Sequence, residues 1–92
     1  MSDTATEAEI LRLTAARGPG GSICPTEVAR ALVPGDAWHG KLSAVRRAAI
    51  RLAQAGRIEI LRKGKPVDPH GEIRGVIRLR VHPTEASPGD SP

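Results

Sequence analysis

Arg47 and Arg51, one helical turn apart, are the residues whose type and spacing point most directly to chemistry. A guanidinium offers paired donors in a plane, which fit the O6 and N7 edge of guanine or two oxygens of a phosphate. Ser43 and Gln54 fall on the same helical arc, Lys41 lies just ahead of it, and a glutamine amide can pair with adenine. A second set of cations follows along a Gly- and Pro-rich stretch: Arg62, Lys63, Lys65, Arg74 and Arg78. Cations on such a loop can track phosphates or enter a minor groove. The plain alternatives are a solvated helix face and an edge hairpin that uses lysine against aggregation.

Catalytic and metal chemistry finds little support. Cys24 precedes a helix N-terminus, which stabilises a thiolate, but a small buried thiol is the ordinary role of such a residue. No histidine is paired with it by spacing. His39, His70 and His82 lack the i, i+3 or i, i+4 spacing of a helical metal pair, and a lone cysteine forms no internal disulfide. Gly18–Gly21 has neither the Walker lysine nor the spacing of a dinucleotide fingerprint, so it reads as a helix stop. The expectation is a non-enzymatic chain with no metal and no cofactor.

The elements that must position these residues follow from periodicity. At about 100° per residue, Trp38, Leu42, Val45, Ala49, Leu52 and Ala53 share one apolar arc, opposite Ser43, Arg47, Arg51 and Gln54. Ala44, Ala48 and Ala55 form a strip between the arcs, open to a close approach. This predicts a helix over 38–55 closed by Gly56, with Asp36 as its N-cap and Trp38 anchoring its start. Arg46 lies near the apolar arc and is expected to pack its stem and pair with a nearby acid.

An earlier helix is expected over Asp3–Arg17, with Ala8, Leu11 and Ala15 inward and Ile10 at the flank of that face. Another should open on Pro25 and run to Leu32, with Val28, Ala31 and Leu32 inward. Ser22-Ile23 is a short extended piece between them. After Gly56 the period falls to two. Strands are predicted over 57–62 and 75–81, with Ile58 and Ile60, then Ile77, Leu79 and Val81, on one face. Residues 63–74 form one long polar hairpin loop, in which Pro66, Asp68 and Pro69 set the backbone.

The 92 residues make one small domain, expected over 1–82, with a disordered tail over 83–92. With one Trp and no Phe or Tyr, the core must be aliphatic, and no stacking platform for RNA or single-stranded nucleic acid is expected. No apolar run is long enough to span a bilayer, and the acidic N-terminus resembles no secretory signal, so the cytoplasm is expected. The net charge of +4 is unevenly spread: residues 1–40 balance to −2, 41–80 to +8, and 81–92 to −2. Positive charge thus collects on the arginine helix and the loop, as a polyanion partner requires.

The order helix, short strand, helix, helix, strand, loop, strand is that of an α+β winged helix-turn-helix, three helices with a C-terminal β-hairpin wing. SICPTEVARAL, VRRAAIRLAQAGRIEI and KGKPVDPHGEIRGVIRLR together resemble a small bacterial winged-helix family catalogued as a domain of unknown function. The resemblance spans roughly residues 7 to 81. It implies the winged-helix fold and, by analogy, DNA binding. The reading is therefore a protein that binds double-stranded DNA, compatible with a small transcriptional regulator. Helix 38–55 would enter the major groove and wing 63–74 would lie on the backbone. The rival is a protein–protein adaptor or homodimerising module that uses the alanine strip with Leu61 and Ile73.

Overall fold

The computed structural model describes residues 4–83, and the expected tail beyond Pro83 lies outside them. The chain is α+β: three helices pack against a three-stranded antiparallel sheet. None of the described helices is long and apolar enough to cross a membrane.

Helix α1 (Thr4–Arg17) buries a stripe spaced by four, Thr6, Ile10 and Thr14. This corrects the expected face, because Ala8 and Ala15 are exposed while Leu11 is half-buried. Alanine is a weak marker of an inward face, since its methyl gains little from burial. Threonine is tolerated inside because Thr14 Oγ1 donates to the Ile10 carbonyl at 2.8 Å, which satisfies the hydroxyl within its own helix.

Helix α2 (Pro25–Leu32) starts on proline at its first turn, and the Glu27 carboxylate accepts the Cys24 N–H at 3.1 Å. This is the acidic arm of a capping box, and it satisfies a donor that the helix itself cannot. Val28 and Ala29 are buried and Leu32 is half-buried, whereas Ala31, expected inward, faces solvent.

The long helix expected from Trp38 is divided. Ala37–Lys41 is a 3-10 segment, and α3 proper is Leu42–Gln54. Asp36 makes no side-chain capping bond, and Gly40 weakens an α-helical start. Trp38 is half-buried against the core; the Arg30 guanidinium lies 4.7 Å from its ring and the His39 ring stacks at 3.7 Å. Side-chain packing on α2 thus positions this segment. The far end behaves as the sequence predicts. Gly56 adopts φ +80, its N–H donates to Ala53 O at 3.0 Å, and Arg57 N–H donates to Leu52 O at 2.9 Å. These two bonds make a Schellman stop.

Strand β1 (Ile58–Arg62) is central. It pairs with β2 (Lys65–Pro66) on one side and β3 (Arg78–Val81) on the other. The register sets Ile58 opposite Val81, Ile60 opposite Leu79, and Glu59 opposite Arg80, whose Nε donates to Glu59 at 2.9 Å. Ile23 extends the sheet by one residue, exchanging two 2.8 Å backbone hydrogen bonds with Leu79. Ile10, Ile23, Val28, Val45, Ile58, Ile60, Ile77 and Leu79 fill the core between helices and sheet.

The single long hairpin loop is also corrected. Lys63 and Gly64 have φ of 54 and 82, so β1 reverses at once into β2 through a two-residue turn with both central residues left-handed. That twist matches the strands it joins. Only then does the chain run from Val67 back towards β3. Asp68 supports this return by accepting the His70 N–H at 2.9 Å.

Candidate nucleic-acid interface

Helix α3 places Val45, Ala48, Ala49, Leu52 and Ala53 in the core, which leaves Ser43, Arg47, Arg51 and Gln54 on the opposite, exposed arc. Ala48 is fully buried and Ala44 half-buried, so most of the alanine strip is used inside the fold. Leu61 is buried and Ile73 is half-buried against the core.

Neighbouring segments border the exposed arc on both sides. On one side the return segment runs along α3 from its end to its start. Gln54 Nε2 donates to Pro69 O at 3.1 Å, and Arg46 donates to Ile73 O at 3.1 Å and to Gly75 O at 3.2 Å. The partner of Arg46 is therefore backbone, not the acid expected for it. On the other side Arg51 Nε donates to Glu7 of α1 at 2.9 Å. Two of the four exposed polar residues thus bond within the fold. Arg47 stands between them, exposed, with no hydrogen bond or ion pair among the described residues. Ser43 shares its exposure, and Lys41 is half-buried at the end of the 3-10 segment.

The loop cations separate into two groups. Arg62, Lys63 and Lys65 gather at the β1–β2 turn, all exposed. The Arg62 guanidinium lies over Gly75, where an added Cβ would meet Nη2 at 3.1 Å; the missing side chain and φ of +75 let the arginine settle there. The others are engaged. Arg74 pairs with Glu72 at 2.8 Å, both well exposed, and Arg78 donates from Nε to Ser22 Oγ at 2.6 Å and from Nη2 to Ser22 O at 3.0 Å.

Sequence reasoning missed Glu7 and Arg30 as positioning residues and gave Arg46 a different partner. Their partners lie elsewhere in the chain, 44 residues away for Glu7–Arg51 and 27 for Arg46–Ile73. Periodicity carries no signal at that range. On α1 the hydrogen bond from Arg12 holds the Glu9 carboxyl below the ordinary carboxylate range.

The arrangement can present one uncompensated guanidinium from a helix and three cations from a turn to a partner rich in anionic oxygens. Comparison with curated proteins finds no match. Residues 3–82 match the family described as “Protein of unknown function (DUF3253)”, and the chain belongs to that family.

Proposed function

We propose that this chain is a winged-helix protein that binds double-stranded DNA, with α3 directed to the major groove and the Lys63–Gly64 turn on the flanking backbone. The observation that carries the proposal is Arg47: central on the exposed arc of α3 and uncompensated, while Arg51 and Gln54 on either side bond within the fold. A guanidinium so placed can make the bidentate contact that guanine or phosphate accepts. The sheet supports the winged-helix reading, since Ile23 joins β3, β3 joins β1, and the excursion between β1 and β3 occupies the place of a wing. Charge supports a polyanion over an adaptor partner. Val76 is the one exposed large hydrophobic among the described residues, which leaves no broad apolar patch across helix and turn.

Lys41, Arg47, Arg62, Lys63 and Lys65 have no ion pair among the described residues. If all of them meet phosphates, the slope of log affinity against log salt is about −4 to −5. The test is fluorescence anisotropy of a labelled duplex of mixed sequence at two or more salt concentrations. Micromolar binding that weakens steeply with salt supports the proposal. A flat salt response, or no binding at low salt, overturns it and leaves a protein partner as the better reading.

A further inference from the structure

A cavity of about 440 Å³ opens beside the β1–β2 turn, within the roughly 300–1,000 Å³ of small-molecule sites. Its apolar lining is Leu61, which is buried, and Val76, which is 83% exposed. Its charged lining is Arg62, Lys63 and Arg78, with no acidic residue among the described ones. The two guanidiniums are already positioned. Ser22 holds Arg78 through its hydroxyl and its carbonyl, and Arg62 rests over the bare backbone of Gly75. A second hollow of about 220 Å³ lies on the other side of Val76, against Cys24 and Arg46, and is smaller than such sites usually are.

We infer that the larger cavity binds a small organic acid, a carboxylate on an apolar body. The carboxylate meets Arg62 and Arg78 with Lys63 at the rim, and the body covers Val76 and Leu61. The pairing follows from charge and shape together. Planar guanidiniums fit a carboxylate with two parallel hydrogen bonds, and they are more weakly hydrated than an ammonium, so they release water at lower cost. The apolar wall supplies the burial that a bare inorganic anion could not use. This inference shares Arg62 and Lys63 with the DNA proposal, but its measurement contains no DNA, so the failure of one is distinguishable from the failure of the other.

The test compares 2-naphthoate with its neutral analogue 2-naphthamide, titrated into the isotope-labelled full chain and followed by amide shifts. The expected result is binding of the acid at about millimolar Kd or tighter, at least about tenfold better than the amide. The shifts should centre on Arg62, Lys63, Val76 and Arg78. Arg62→Gln should erase most of the preference for the acid, whereas Val76→Ser should weaken acid and amide alike. Equal binding of the two compounds, shifts centred elsewhere, or no shift at about 10 mM acid overturns the inference. The wild-type comparison decides it even if a variant is unstable.

Discussion

Arg51 donates from Nε to a Glu7 carboxylate oxygen 2.9 Å away, which ties the exposed side of α3 to α1 across 44 residues of sequence. Both side chains are partly exposed, so solvent screens the pair and its coupling is small. A double-mutant cycle with Glu7→Gln and Arg51→Ala, read by urea unfolding, should give a coupling of about 0.2–1 kcal/mol. A coupling of zero would mean that the contact adds nothing in solution.

Arg47→Ala is the complementary change. It removes no bond within the described fold, so the unfolding midpoint should stay within about 0.5 kcal/mol of wild type. Under the DNA proposal the same variant loses about 1–3 kcal/mol of duplex affinity, read by anisotropy. Unchanged affinity on folded protein would remove Arg47 as a contact.

Lys63 holds a left-handed backbone, φ 54, that glycine adopts without a Cβ penalty. Lys63→Gly should therefore stabilise the fold by about 0.5–1 kcal/mol in thermal or urea unfolding. If the turn meets phosphates, the same substitution reduces the salt slope by about one. A gain in stability with an unaltered slope would place the turn away from DNA.

Arg46 bridges to two carbonyls of the return segment, and a lysine cannot reproduce that fork. Arg46→Ala and Arg46→Lys should both destabilise by about 1–2 kcal/mol. Amide exchange should quicken first around Ile73–Gly75. Full rescue by lysine would show that charge alone matters at this position.

The Glu9 carboxyl is held below its ordinary range by Arg12, so its contribution is present above the unfolded-state value and is lost as pH falls through the folded one. Wild type should exceed Glu9→Gln by a few tenths of a kcal/mol at neutral pH, as an exposed i, i+3 pair does. The difference should vanish in acid, once Glu9 is protonated in both states. A difference that persists there would assign the effect to packing or helix propensity.

The pattern of elements was legible where it rests on short-range physics. Pro25 starting α2, Gly56 ending α3, and the alternation Ile77–Leu79–Val81 each follow from a backbone or periodic constraint within a few residues. The split at Trp38–Lys41 was not legible, because the apolar arc continues through it. That segment contains Gly40, a poor helix former, and its Trp38 ring meets Arg30 and His39. The inward face of α1 was misread for a related reason: Thr6 and Thr14 are buried on it, and Thr14 bonds to its own helix. In the candidate interface the residue types were readable but their engagement was not. Nothing near Arg51 or Gln54 announces Glu7 or Pro69 as a partner, and that engagement separates Arg47 from its neighbours.

The return segment is fastened near both ends of α3, through Arg46 at the start and Gln54 at the end. Together with the sheet beneath, this splints the helix to the hairpin, and the two cannot swing independently without breaking bonds at one end. Any partner that docks there meets a preorganised surface, so little ordering entropy opposes association. Such a surface should recognise shape as a stamp does, tolerating small changes in its partner's chemistry better than changes in the spacing between the partner's two contact points.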